Sequence, residues 1–148
     1  MPGNRRMRRS EAGDVILSGF LHPGFEVELR DVSTLGLAHV GDAVFELMVR
    51  TWLCMGGAVT AKRLHSGAVE FVSARAQAVA AAKVAPMLSD EEGAVFKRGR
   101  NARVGSVPGG CSLEEYHAAT GLEALFGYLY LSGRVERLEE LFGIIVGG

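Results

Sequence analysis

The spacing of apolar residues along the chain predicts a protein built from helices. Between residues 34 and 53, apolar side chains recur at intervals of three and four, as they do on one face of a helix. No convincing alternation of apolar and polar residues indicates a strand, and no internal repeat is visible. The pattern therefore predicts an all-α fold with helices over residues 34–53, 60–84, 90–100, 113–131 and 134–146.

Two predicted helices begin with a capping signal. Ser89 is followed three residues later by Glu92, and Ser112 by Glu115, which is the spacing of a capping box. The segment between them, over residues 101–111, is rich in Gly and is predicted to be a loop.

The Ala-rich stretch over residues 60–84 strongly favours a helix. Ser66 and Gly67 are the point at which we expect this helix to break, if it breaks at all. Pro86 ends it, because proline removes a helical hydrogen bond and clashes with the preceding turn.

Length and composition indicate one domain. The 148 residues suffice for a single hydrophobic core, and we assign residues 31–148 to it and residues 1–30 to a basic, flexible leader and loop. The net charge of −1 argues against a uniformly basic nucleic-acid binder. Because no apolar run reaches the roughly 18 residues of a membrane span and no secretory signal is recognisable, we expect a cytoplasmic protein with no membrane partner.

Two acids are unusual because each lies in an apolar, helix-length segment. Glu123 carries the single formal charge in residues 118–131, and Asp42 lies in the similarly apolar segment over residues 35–47. A carboxylate in such a setting is normally neutralised, paired or bound to a metal. The ordinary alternative is that each acid lies on the solvent-exposed face of a helix whose other faces are buried in the core. If the two helices face each other, Asp42 and Glu123 could hold one hard cation.

A glycine accompanies each acid. Gly41 directly precedes Asp42, and Gly127 lies one turn after Glu123, where a helix would prefer Ala by about 1 kcal/mol. The missing side chains either leave room beside the carboxylates or allow two helices to approach closely, and the sequence leaves both interpretations open.

The donor atoms suggest the metal. Oxygen ligands without His or Cys favour Mg²⁺, with Mn²⁺ as an alternative, and Mg²⁺ commonly takes one or two protein carboxylates. Such an ion lowers the pKa of bound water and stabilises charge on a phosphoryl oxygen, which is the chemistry of phosphodiester hydrolysis.

A basic cluster indicates a substrate with phosphate groups. Lys97, Arg98, Arg100 and Arg103 fall within seven residues, with Asn101 among them. Closely spaced cations of this kind can contact consecutive phosphates of a nucleic acid, although a solvated run of charges is the commoner explanation for such a stretch.

Both acidic segments resemble a known family. Residues 37–46 (LAHVGDAVFE) resemble the signature segment of ribonuclease III nuclease domains, and residues 120–131 (TGLEALFGYLYL) resemble their second acidic segment. The resemblance is closer to Mini-ribonuclease III, the short form that has no double-stranded-RNA-binding domain. Residues 74–78 (ARAQA) and 98–102 (RGRNA) resemble further stretches of that short form.

The departures from the full-length family pattern favour the short form. Ala38 and Thr120 occupy positions where full-length ribonuclease III has two additional acids, which Mini-ribonuclease III also lacks. Thr120 therefore implies a sparse, water-rich metal shell and weak metal binding without RNA. His39 replaces the usual Tyr, and residues 108–110 read Pro-Gly-Gly instead of Pro-Lys-Asn, so one cation expected near the RNA is missing.

The resemblance implies a homodimeric, Mg²⁺-dependent endoribonuclease that cuts double-stranded RNA and leaves 5′-phosphate ends. Asp42 and Glu123 would be the catalytic and metal-binding residues. The natural substrate would be the precursor of large-subunit (23S) ribosomal RNA, with a ribosomal protein as a candidate helper. Two alternatives stay open: a non-catalytic RNA-binding or ribosome-associated protein of the same fold, and a helical protein-interaction module. The residues implied to bind RNA are Lys97, Arg98, Arg100, Asn101 and Arg103.

Overall fold

The computed structural model describes residues 20–21, 23–24, 31–57, 59–102 and 106–147. Within these ranges it contains α-helices, one short 3-10 turn at Ala85–Met87 and no strand, which confirms the all-α prediction. Most of the predicted leader over residues 1–30 lies outside the described residues. The helices are α1 (Thr34–Met55), α2 (Ala61–Val72), α3 (Ala74–Val84), α4 (Asp90–Arg100), α5 (Leu113–Leu131) and α6 (Val135–Gly147).

The predicted capping boxes start α4 and α5. The Ser89 hydroxyl accepts a hydrogen bond from the Glu92 backbone N–H at 3.2 Å, and the Ser89 backbone N–H donates to Glu92 Oε1 at 2.9 Å. Ser112 and Glu115 repeat this exchange at 3.1 and 2.8 Å. These reciprocal bonds satisfy free backbone donors in the first turn, so each helix begins at the predicted residue. The observed bounds of α4 and α5 confirm the predicted ones.

The break in the Ala-rich stretch lies at Ser73, so the predicted break near Ser66 and Gly67 is wrong. Ser73 has extended backbone angles, and its hydroxyl accepts from the Ala76 N–H at 3.2 Å, which starts α3. Gly67 stays helical inside α2, where a Cβ would lie 2.9 Å from a Leu53 methyl carbon. Its missing side chain allows α2 to pack against α1.

Helix α5 is the centre of the fold. It packs against α1, α3, α4 and α6, and most residues from Ala119 to Leu129 are buried. Phe45 of α1 makes edge-to-face contacts with Phe126 of α5 and Phe142 of α6, at centroid distances of 5.4 and 6.3 Å. The aromatic cluster joins three helices around one core.

Helices α1 and α5 cross at very short range. A Cβ on Gly41 would lie 1.6 Å from the Glu123 backbone oxygen, and one on Gly127 would lie 1.9 Å from the Leu37 backbone oxygen. The two backbones therefore touch, and of the two interpretations of these glycines the structure supports close helix approach.

Helix α1 is less buried than its apolar residues suggest. The apolar periodicity of residues 34–53 predicts a largely buried helix, but Leu47 is 62% exposed and Met55, at the end of α1, is 83% exposed. The expectation is wrong for the single chain because α1 packs mainly against α5 and α2, and the side chains of Leu47 and Met55 stay exposed outside those contacts.

Salt bridges join α4 to α6. The Arg137 guanidinium donates to Glu92 from Nε and Nη2, both at 2.9 Å, and to the Met87 carbonyl at 2.6 Å. Because Glu92 is buried, this ion pair holds α4 and α6 together, and the Arg137 hydrogen bonds lower the Glu92 pKa.

No helix in the described part of the chain is long and apolar enough to span a membrane.

The helix crossing gives the first testable prediction. Gly127→Ala should lower the free energy of unfolding by about 3 kcal/mol or more, because the new methyl group would overlap a backbone carbonyl. Gly93→Ala in α4 is the matched control, since a Cβ there meets nothing within 4 Å and helix propensity should raise stability by up to about 1 kcal/mol. Urea unfolding followed by circular dichroism measures both changes. Equal stability of the two variants would contradict the close crossing.

Candidate active site

The crossing of α1 and α5 brings the two predicted acids together. Gly41 and Glu123 are in backbone contact, so Asp42, the next residue, projects beside Glu123. The negative charge of Asp42 acts on the Glu123 carboxyl and raises its pKa. The two acids therefore lie in one candidate site, although the helices that carry them are far apart in sequence. Within the described residues they belong to no cluster of three or more His, Cys, Asp or Glu side chains suited to a metal.

Burial and like charge disfavour ionisation of both carboxyls. The pKa of Glu123 is raised to about 7, first by burial and then by the charge of Asp42. Asp42 is more exposed, and its pKa is raised by partial burial and by Glu46 one turn later, while His39 opposes the rise. Two carboxyls that resist ionisation together form a site that a cation would stabilise.

A third residue, Gln77, lies beside Glu123. Helix α3 packs against α5 and buries the Gln77 side chain, which is 1% exposed. Its amide is near enough to oppose the rise in the Glu123 pKa, although Gln77 Nε2 has no acceptor in hydrogen-bond geometry. The hydrophobic pattern attached no function to Gln77. One signal in the sequence could have singled it out: Gln77 is a polar residue on the helix face that otherwise carries Ala80, Ala81 and Val84.

Thr120 is buried and bonded within its own helix. Its hydroxyl donates to the Tyr116 carbonyl at 3.0 Å, one turn earlier in α5. The position at which full-length enzymes are expected to have an additional acid therefore holds a neutral side chain that is bonded to backbone. This environment agrees with the expectation of few protein ligands at the site.

The predicted RNA-binding residues gather at the end of α4. Lys97, Arg100 and Asn101 are exposed there, whereas Arg98 is partly buried and donates to the Val32 carbonyl at 3.4 Å. Arg103 lies outside the described residues. The structure thus presents three of the five residues to solvent and gives Arg98 a contact with Val32, just before α1.

Close packing also joins this end of α4 to α5. A Cβ on Gly99 would lie 2.8 Å from the Ala124 Cβ and 2.9 Å from the Gly121 Cα. The exposed cations therefore project from a helix held tightly against the one that carries Glu123. The acids and the cations therefore lie on three helices that pack against one another.

Comparison with known proteins identifies the family. Residues 35–134 match the model of the Ribonuclease III domain, so the chain belongs to the ribonuclease III domain family. This domain, together with the similarity to proteins named Mini-ribonuclease 3, confirms the prediction that the chain is an endoribonuclease.

Similar curated proteins support the short form. The chain is 45% identical over 107 residues to Mini-ribonuclease 3 of Symbiobacterium thermophilum, covering 72% of this chain and 82% of that protein. It is 44% identical over 117 residues to Mini-ribonuclease 3 of Brevibacillus brevis, covering 76% and 87%. These similarities confirm the predicted resemblance to Mini-ribonuclease III.

A solved structure has the same fold. The crystal structure of a protein from Fusobacterium nucleatum superposes with a TM-score of 0.76 at 32% identity, covering 81% of this chain and 98% of that one. The likeness extends over nearly all of the other protein. It confirms the predicted fold class.

The raised pKa of Glu123 predicts how stability depends on pH. An unfolded chain releases this proton near the ordinary pKa of 4.5, whereas the folded protein keeps it until about pH 7. Without metal, stability conferred by the proton should be present below pH 4.5 and should be lost as the pH rises to about 7. Glu123→Gln should remove this loss and be more stable than wild type above pH 7, by about 1 to 3 kcal/mol.

Denaturant unfolding in a chelating buffer at acid and alkaline pH measures the difference. Glu114→Gln, which neutralises an exposed acid on the same helix, is the control and should follow wild type. A wild-type advantage over Glu123→Gln at alkaline pH would contradict the assigned environment of Glu123.

Proposed function

We propose that this chain is a Mg²⁺-dependent endoribonuclease that cuts double-stranded RNA, with Asp42 and Glu123 as its catalytic and metal-binding residues. One observation carries the proposal: in a member of the ribonuclease III domain family, the glycine crossing of α1 and α5 sets these two acids side by side. The chemistry of their surroundings supports it further.

The residues present fit a divalent cation. Two carboxyls with raised pKa values on closely packed helices would be stabilised by positive charge, and their oxygens suit Mg²⁺, with Mn²⁺ as an alternative. Bound there, the ion would supply electrostatic stabilisation of the negative charge that develops on the scissile phosphate. Asp42 faces solvent more than Glu123 does, so it lies on the side from which RNA would approach.

The reaction follows from hydrolysis of a phosphodiester. Water adds to phosphorus and the bond to the 3′ oxygen breaks, which leaves a 5′-phosphate on one product and a 3′-hydroxyl on the other. Asp42 and Glu123 orient the reacting groups from a rigid backbone, so little reorganisation is needed when substrate binds.

The end of α4 is the proposed RNA-binding surface. Lys97, Arg100 and Asn101 are exposed and would contact phosphates or 2′-hydroxyls of a duplex, which proteins recognise mainly by shape. Arg98 would add its charge while it holds Val32. By resemblance, Arg103 is a further candidate for binding RNA. By resemblance, the substrate is precursor large-subunit (23S) ribosomal RNA in the cytoplasm, and a ribosomal protein is a candidate helper.

We also propose that the enzyme is a homodimer. Each chain offers one pair of acids, and a two-fold dimer would present one pair to each strand of a duplex. An apolar groove of about 470 Å³ lies between α1, α5 and α6 and is open to solvent. Exposed Leu47 lines it, and an apolar surface of this kind on a small domain suits a second copy of the chain. Further lining residues are Val40, Met48, Tyr130, Val135 and Leu138.

Cleavage of a duplex RNA tests the function. Wild type should cut in Mg²⁺ and stop when EDTA removes the ion, whereas Asp42→Asn and Glu123→Gln should each lose about 100-fold or more in rate. Glu114→Gln is the control and should cut normally. Gel analysis of labelled products measures the rates, and circular dichroism checks that each variant folds.

Two outcomes would count against this assignment. Wild-type rates in both Asp42→Asn and Glu123→Gln would show that the catalytic residues lie elsewhere. A folded wild type that binds duplex RNA but never cuts it in Mg²⁺ or Mn²⁺ would favour the non-catalytic alternative.

Salt dependence tests the RNA-binding surface. Replacing Lys97 and Arg100 by Ala should weaken binding to duplexes of any sequence and reduce the salt slope by about 1 for each phosphate that the protein no longer neutralises. Lys83→Ala is the control, because the Lys83 ammonium donates to the Ile145 carbonyl on α6 at 3.2 Å. Fluorescence anisotropy across a salt series gives the slopes. An unchanged slope in the double variant would exclude an RNA-binding role for these two side chains.

Oligomeric state tests the apolar groove. Leu47→Glu should convert a dimer to a monomer, because dimerisation would otherwise bury an unpaired charge. Val79→Glu on α3 is a matched control, since Val79 is similarly exposed (55%) but lies away from the groove. Light scattering coupled to gel filtration gives the masses. A dimer that survives Leu47→Glu, or a monomeric wild type, would contradict the proposed interface.

A further inference from the structure

Gln77 presents a buried amide with an unused donor. The side chain is 1% exposed, and its Nε2 has no hydrogen-bond partner. A buried donor without a partner costs about 1 to 3 kcal/mol, so the fold tolerates a destabilising group at this position. An apolar side chain of similar size would avoid that cost, which suggests that the amide has a use.

The location of the amide indicates that use. Helix α3 packs against α5 and brings the Gln77 side chain beside Glu123. The amide there partly offsets the rise in the Glu123 pKa that burial and Asp42 cause. The amide therefore lies beside a carboxyl that would carry its full negative charge when it binds a cation. An ionised carboxylate is acceptor-only, so it is the partner that these donors lack.

We propose that Gln77 is a positioning residue for Glu123: its Nε2 donates to one carboxylate oxygen and leaves the other oxygen directed at the cation. The inference rests on the proposed metal site. A neutral amide suits this task better than Lys or Arg, because it orients the carboxylate without cancelling the negative charge that attracts a cation.

The neutral donor also suits a site with few acids. Thr120 contributes no charge, and its hydroxyl donates to the Tyr116 carbonyl. Metal affinity would therefore depend more on the orientation of Glu123 than it would in a site with four acids. Gln77 would then set the metal affinity without touching the metal. Positioning groups of this kind typically change metal affinity by about 10- to 100-fold.

Direct metal binding by the RNA-free protein tests this role. Mn²⁺ serves as the probe, and electron paramagnetic resonance of the free ion gives the dissociation constant in a titration that extends to millimolar concentrations. Gln77→Met, which is nearly isosteric but has no donor, should raise the dissociation constant about tenfold. Its stability without metal should equal or exceed that of wild type, since an unsatisfied donor is removed.

Two further variants separate positioning from packing. Val84→Ala alters the same buried face of α3 and should lower stability without changing Mn²⁺ affinity. In a Glu123→Gln background, Gln77→Met should change the remaining affinity by less than twofold, because the carboxylate through which it acts is gone. If Gln77→Met does not fold, Gln77→Asn withdraws the amide by one methylene and should give the same weakening.

The outcomes distinguish this inference from the proposed function. Equal Mn²⁺ affinity in wild type and folded Gln77→Met, with RNA cleavage intact, would overturn the role of Gln77 and leave the function standing. Equal weakening by Gln77→Met in the presence and absence of Glu123 would also overturn it. Wild type that neither binds Mn²⁺ nor cleaves RNA would remove the metal site itself.

Discussion

Backbone contact between α1 and α5 is the constraint on which the rest of the structure depends. Gly41 and Gly127 remove the two side chains that would hold the helices apart, and the Glu123 carbonyl occupies the space of one of them. The aromatic contacts of Phe45 then join both helices to α6. Because Asp42 and Glu123 are neighbours of this contact, the packing that builds the core also fixes the separation of the two acids.

The same contact makes the candidate site electrostatically costly. Burial and repulsion raise the pKa of both carboxyls, and neither Thr120 nor Gln77 carries a charge that would compensate. Elsewhere the fold pairs its buried acid: Glu92 accepts from Arg137. The contrast between a neutralised acid in the scaffold and two uncompensated acids at the crossing is typical of a site kept for a ligand.

Local signals were sufficient for part of this structure. The Ser-x-x-Glu pairs predicted the starts of α4 and α5 because a capping box is made within four residues, and isolated charge in apolar segments singled out Asp42 and Glu123. Other features depend on distant contacts and escaped prediction. A side chain at Gly67 would meet Leu53 of α1, and Gln77 matters because α3 packs on α5. Neither contact can be read from the segment that contains the residue.

The glycine crossing has a consequence for how such a domain can diverge. A side chain at Gly41 or Gly127 would displace the backbone that carries the acids, so sequences that drift at these positions lose stability together with the geometry of the candidate site. Descendants that abandon catalysis are therefore expected to exchange the two carboxylates while they retain both glycines. In a lineage of folded domains, glycines at the crossing would record shared ancestry, and the acids beside them would record whether the chemistry was still under selection.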